Sequence, residues 1–313
     1  MTGALIQSGG TTIASALAIS GVSIVAVQRA RRRPIVGSAL AERWMTWAVL
    51  GPLWLIASAW RPGRGVLLSA FVVVSAVEYS RLRPSMSLVD RWMFAACAAS
   101  SIPLVTILRL EPLAVVVALA LAGTVAPILQ QDVRSGTQRI GAHSVGVVLI
   151  IAPFVLLAHI ADDISTGAFF AVGLATAFSD VFAFVIGSTL GHRPLAPSLS
   201  PAKTVAGALG NVIGAATALG VAAATGIVAP AGMWMAPVVA LGAISGDLLI
   251  SLFKRERGVK DAGSWLPGFG GLLDRVDSLL VTSMLAYLAL AITGGGTGGG
   301  PVNSAARCDA CGT

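Results

Sequence analysis

Charge is what this chain has least of. Asp, Glu, Lys and Arg together make up 11% of its 313 residues, against 56% hydrophobic. A water-soluble domain carries about a quarter of its residues as charges, so this balance, with a mean hydropathy of +0.85, excludes one and points to a polytopic membrane protein. The polar/apolar alternation of a membrane β-barrel is missing, which leaves helices. No G-x-x-x-x-G-K-[ST] stretch occurs, so a P-loop nucleotide site is unsupported. The first apolar run has no basic segment before it, and its arginines follow it instead; it reads as an uncleaved span and not as a signal peptide. Cysteines number three. Cys97 falls in an apolar run and reads as packing, while Cys308 and Cys311 form a lone CxxC in a Gly-rich tail, half a zinc site at best and equally suited to a disulfide on an outer face.

What the chain does have is apolar runs, at about 11–28, 45–60, 65–80, 92–108, 113–129, 144–161, 168–190, 205–228, 231–253 and 276–293. At roughly 20 residues per span, they predict an all-α fold, a polytopic transmembrane helical bundle of about ten spans, with nine as the alternative count. The second and third runs are the shortest. Most of the 21 Lys and Arg residues fall in loops after the odd-numbered runs, whereas Arg61, Arg64, Arg109 and Arg307 fall on the other side. The positive-inside rule then places both termini outside and the basic loops in the cytoplasm. The net charge of +7 is accounted for by loops facing an anionic leaflet, and nucleic-acid binding is not needed to explain it. The expected organisation is N-terminal helices over 1–143, a catalytic membrane region over 144–293 with its site on the cytoplasmic face, and a flexible Gly-rich tail over 294–313.

Against this background the segment from Ser251 to Ser278 stands out, with four carboxylates and five basic residues. Asp274 and Asp277 lie three apart at the start of the last run, on one helix face near the positive end of its dipole. Asp247 lies in the preceding run and Asp180 in the seventh, and an ionisable residue inside a span is a functional hypothesis by default. Carboxylates so gathered repel one another unless a cation sits among them, and a divalent metal resolves this most simply. The LPGFGG turn, Leu266 to Gly271, offers backbone N–H groups to an anion, and Lys254, Arg255, Lys260 and Arg275 match a polyphosphate. The alternative is a basic loop paired internally with Glu256 and Asp261. In the proline-rich loop from Gly191 to Thr204, Ser198, Ser200, Lys203 and Thr204 suit phosphate oxygens, or else form an ordinary interhelical turn. A cation-coupled transporter using Asp180 and Asp247 is a further reading, weakened because the polarity gathers at one face and not at the midplane.

Ser251, Lys254-Arg255, Lys260-Asp261, Pro267-Gly268, Gly270-Gly271 and Asp274-Arg275-x-Asp277 stand at the spacing of a long motif. Through them the chain resembles the phosphatidate cytidylyltransferase family, also called CDP-diacylglycerol synthases. The resemblance extends to Gly246-Asp247, to Ser200-Pro201-x-Lys203-Thr204, to Asp180 and more weakly to Glu78-Tyr79. It implies cytidylyl transfer from CTP to phosphatidic acid with Mg2+, a second cation being left open, by an enzyme of the plasma (inner) membrane. The implied catalytic set is Asp247, Asp274, Lys260, Asp261 and Arg275. Asp247, Asp274, Asp277 and Asp180 are the implied metal ligands, and Ser200, Lys203, Thr204, Lys254, Arg255, Gly270 and Gly271 the implied substrate contacts. A homodimer is also left open. Phe269 stands where the family turn has His, Val205-Ala206 where many members have Trp-Glu, and Ile250 where many have Glu. These departures keep a relative acting on another lipid phosphate, or a CTP-dependent lipid kinase, as alternatives.

Overall fold

The computed structural model describes residues 39–263 and 270–293, with a few more between 7 and 14. Most of the run at 11–28, the turn residues Pro267, Gly268 and Phe269, and the tail with Cys308 and Cys311 lie outside the described residues.

The chain runs up and down as helices α1 (Ala39–Ala59), α2 (Arg61–Leu82), α3 (Leu88–Thr106), α4 (Pro112–Ala122), α5 (Val125–Leu129), α6 (Gly136–Gly146), α7 (Ala152–His159), α8 (Thr166–Leu190), α9 (Val205–Ala224), α10 (Ala236–Glu256) and α11 (Leu273–Ile292). Helices α4 and α5 form one span, as do α6 and α7. Among the described residues eight helices are long and apolar enough to cross a membrane, and in α1 the apolar stretch is the shorter Ala48–Ala59. In lipid a helix satisfies its own backbone groups, which is why every described apolar run becomes one.

The helix ends follow local chemistry. Pro62 lies in the first turn of α2, where a missing N–H costs nothing. Ser87 and Asp90 close a capping box on α3, and the Ser165 and Thr204 hydroxyls cap α8 and α9. Expected from 144, the sixth run instead begins as a helix at Gly136 and continues to Ile164. It does so through two widened π-turns, Val147–Ile151 and Ile160–Ile164. The first of these ends two residues before Pro153, whose ring and absent N–H are incompatible with a regular turn. The loop from Gly191 to Thr204 is more structured than a plain connection. Strands β1 (Pro194–Ala196) and β2 (Ser200–Thr204) pair antiparallel as a hairpin.

The core is aromatic and aliphatic, with Tyr79, Phe94, Phe154, Phe169 and Phe170 fully buried. Cys97 is buried and unpaired within it, as packing requires. Around the core, helices approach through glycines. A Cβ on Gly210 would lie 2.6 Å from the Phe182 carbonyl oxygen of α8, and one on Gly214 2.3 Å from that of Phe178. A Cβ on Gly246 would lie 2.2 Å from the Asp277 carbonyl oxygen, and one on Gly242 2.5 Å from Thr282 Cα. Small residues of this kind let helices meet backbone to backbone where lipid provides no hydrophobic drive.

Ion pairs close both ends of the bundle. At one end Arg61, Arg64 and Arg109 converge on Asp162. At the other, the buried Arg139 holds Asp90 through Nε and Nη2 (2.7 and 2.8 Å), with Nη1 on Asp132 (2.8 Å) and Gln130 (2.9 Å). Hydrogen bonds from the Ser135 hydroxyl and from Arg139 hold the Asp132 carboxyl well below the usual carboxylate range.

Two glycines of α9 should respond to alanine with opposite signs. Gly210→Ala drives a methyl into α8 and should lower stability by about 1–3 kcal/mol. Gly220, whose Cβ would meet only the Met233 side chain at 3.8 Å, should gain up to about 1 kcal/mol of helix propensity as Gly220→Ala. Thermal unfolding of the two variants in detergent checks the contrast.

Candidate functional site

The Arg139 end of the bundle gathers three polar connections: the β-hairpin between α8 and α9, the described parts of the segment from Arg257 to Leu272 between α10 and α11, and the short α2–α3 link. Two carboxylate–lysine pairs form its centre. Asp274, in the first turn of α11, receives the Lys254 ammonium on Oδ1 at 2.7 Å. On Oδ2 it accepts the Ala262 N–H (2.8 Å) and the Gly271 N–H (3.3 Å). Asp247 on α10 pairs with Lys203 of β2 and accepts from the Ser251 hydroxyl, one turn further on, at 3.4 Å. The Asp274 pair is the more enclosed, its side chains 12 and 13% exposed against 34 and 22% for Asp247 and Lys203.

Beneath these pairs the polarity continues into the bundle. Asp277 is buried one turn below Asp274 and accepts the Ser278 N–H at 2.8 Å; Asp247 and Asp180 are the carboxylates whose fields reach it. Asp180 of α8 accepts the Ser278 hydroxyl at 2.9 Å. Gly246 makes this possible, since its missing side chain lets α10 lie against the α11 backbone at Asp277. Asp247, Asp277 and Asp180, from three helices, thus share one neighbourhood.

The other expected residues divide. Gly270 has φ +79°, a left-handed conformation suited to glycine, and a Cβ there would be 3.6 Å from Asp274 Oδ2. Gly271 supplies one of the N–H groups on Asp274. Arg255 is exposed, and its Nε donates to the Leu199 carbonyl at the hairpin tip (3.3 Å), fixing the hairpin over α10. Thr204 uses its hydroxyl to cap α9 through the Gly207 N–H (3.1 Å). Ser200 and Arg275 are half-buried, whereas Lys260 and Asp261 stand exposed on the loop outside both ion pairs. Lys254 pairs with Asp274 and not with its near neighbour Glu256, which reaches instead to Arg83 of the α2–α3 link (2.7 Å).

Two features of the N-terminal half escape a residue-by-residue reading. The Arg83 guanidinium lies over the Phe253 ring at 4.3 Å and donates to the Tyr79 hydroxyl (3.2 Å), binding α2 to α10. Glu78, one residue earlier than Tyr79, accepts the Leu272 N–H (3.1 Å) and the Leu273 N–H (2.7 Å), which are orphan donors at the start of α11. A charged residue inside an apolar run was the available signal; its partner, 195 positions away, had none.

Among the described residues no group of three His, Cys, Asp or Glu side chains forms a ready-made metal cage. Each of the two upper carboxylates is closed by an ammonium group instead. That donor set suits a hard cation taking one or two carboxylates and completing its shell with water and substrate phosphates. It does not suit a metal caged wholly by protein.

A family model described as "Cytidylyltransferase family" matches residues 41–293. A phosphatidate cytidylyltransferase of Brucella abortus is 47% identical over 118 residues, 36% of this chain and 43% of the relative. The chloroplastic phosphatidate cytidylyltransferase 5 of Arabidopsis thaliana is 32% identical over 232 residues, 70% of this chain and 49% of the relative. One from Mycobacterium leprae is 35% identical over 128 residues, 40% of this chain and 41% of the relative. The chain thus spans less than half the length of these curated relatives.

The unequal enclosure of the two pairs predicts unequal costs. Lys254→Ala strands a mostly buried Asp274 and should cost about 2 kcal/mol or more, whereas Lys203→Ala, at the more open pair, should cost under about 1 kcal/mol. Detergent melting curves of the two variants at neutral pH give the comparison.

Proposed function

The chain belongs to the cytidylyltransferase family, and on that premise we propose that it transfers the cytidylyl group of CTP to the phosphate of phosphatidic acid, giving CDP-diacylglycerol and pyrophosphate. The observation that carries this reading is the pairing of Asp274 with Lys254 and of Asp247 with Lys203 at one polar end of an otherwise apolar bundle. Those lysines, with Lys260 and Arg275 nearby in the sequence, offer the cations that a triphosphate and a lipid phosphate require. Gly270 and Gly271 bring backbone close to Asp274. In the reaction a phosphate oxygen of the lipid attacks the α-phosphorus of CTP; that P–O bond forms as the bond to the β-phosphate oxygen breaks, and pyrophosphate leaves with the electron pair. The protein's part is to hold both phosphates in line and to meet the charge that develops on the leaving oxygens.

Asp247 and Asp274 would hold Mg2+, with Asp277 and Asp180 behind them. When bound, the metal would neutralise the charge on the attacking and leaving oxygens. The basic loops share the site end, which by the positive-inside rule faces the cytoplasm of the plasma membrane, where CTP is available. Such a placement suits one water-soluble and one bilayer substrate.

Detergent-purified protein given CTP, Mg2+ and phosphatidic acid should release pyrophosphate only when the lipid is present, and Asp274→Asn should abolish that release. Release of CDP with a phosphorylated lipid would identify a kinase instead, and no nucleotide product from folded protein would overturn the transferase reading.

A further inference from the structure

Glu78 is fully buried in the N-terminal half of the chain, yet both of its carboxylate oxygens are spent on the start of α11. Oε1 accepts the Leu272 N–H and Oε2 the Leu273 N–H. Its surroundings are shaped to it. A Cβ on Gly263 would lie 2.4 Å from Oε1, and one on Gly271 2.7 Å from Oε2 and 2.8 Å from the Gly263 nitrogen. Gly263 and Gly271, eight positions apart, thus meet at a neck that closes on this one carboxylate. Asp274 stitches the same neck from its other side, through the Ala262 and Gly271 N–H groups. The two carboxylates share the Gly271 segment: Glu78 fixes the first turn of α11, and that turn presents Asp274.

We propose that Glu78 is a positioning residue of the site, a cap on α11 supplied by α2 that sets where Asp274 and Gly271 stand without itself meeting substrate. A carboxylate at a helix N-terminus answers both the orphan N–H groups and the positive end of the dipole. Its burial excludes contact with a polyphosphate, and its two acceptor bonds leave α11 little freedom to shift. The inference rests on the cytidylyltransferase reading for its activity readout alone.

The test uses the full-length chain in detergent, with Glu78→Gln as the first variant. Gln fills the same space but offers one acceptor and presents an N–H2 to a backbone donor. Hydrogen exchange at the Leu272 and Leu273 amides should quicken by about tenfold or more, with exchange in α8 and α9 unchanged. The kcat for lipid-dependent pyrophosphate release should fall about tenfold to a hundredfold, while KM for CTP stays within about threefold. Gly263→Ala, which crowds the carboxylate without removing it, should give the same pattern. Unchanged exchange at those amides in either variant overturns the proposal. So does a general rise across the bundle, an unchanged kcat, or a loss carried wholly by KM. The exchange comparison needs no turnover. A wild-type chain that releases no pyrophosphate therefore refutes the transferase reading, and the proposal for Glu78 then stands or falls on exchange.

Discussion

A charge inside an apolar bundle persists only where an opposite charge or a set of backbone N–H groups takes the place of water, and the site end of this protein is organised by that requirement. Asp274 has one oxygen on an ammonium group and the other on two N–H groups. Glu78 has each oxygen on an N–H group of α11, and Arg139 uses all three of its nitrogens. Arg83 lies between a carboxylate and two aromatic rings. The Glu78 and Arg83 solutions join elements far apart in sequence. The partners that make a charge tolerable therefore also fasten the N-terminal helices to the C-terminal ones.

The same requirement explains the glycines. Neutral small residues on α9 and α10 let helices come within backbone contact, and Gly246 brings Asp247 of α10 close to the α11 backbone at Asp277, while the Ser278 hydroxyl reaches Asp180. A bundle spaced by leucines would hold these carboxylates apart with lipid-like side chains between them. Close packing and polarity are thus two aspects of one design, since α10 and α11, which meet through Gly242 and Gly246, carry Asp247, Asp274 and Asp277.

The polar neighbourhood extends downward as well as across. Asp180 lies ten residues from the end of α8, or about 15 Å along its axis at the usual helical rise, while Asp274 stands in the first turn of α11. A site of that depth has one end near water and the other among helices that lipid surrounds, which fits a reaction joining a soluble nucleotide to a bilayer phosphate. The hairpin, held to α10 through Arg255 and Leu199, forms one wall of its upper part.

Much of this was legible in the residues. Low charge and long apolar runs implied a helical membrane bundle, because lipid admits few other backbones; all nine runs that fall among the described residues became helices, and even the two shortest did so. Asp180, Asp247, Asp274 and Asp277 were recognisable as exceptional by their setting, and the structure brings them to one end as their positions along the helices imply. Periodicity could not say that Lys254 would choose Asp274 over Glu256, or that the Gly191–Thr204 loop would pair as a hairpin. Nor could it say that Thr204 would spend its hydroxyl on a cap. Pairing depends on which helix faces which, and that is a property of packing. Composition and local pattern by themselves determined the solvent of this protein, the helical character of its described apolar runs and the identity of its acids. Only the tertiary structure decided the partner of each acid, Glu78 with α11 above all, because a carboxylate and the two N–H groups it satisfies lie 194 and 195 residues apart and meet only once the helices between them have packed.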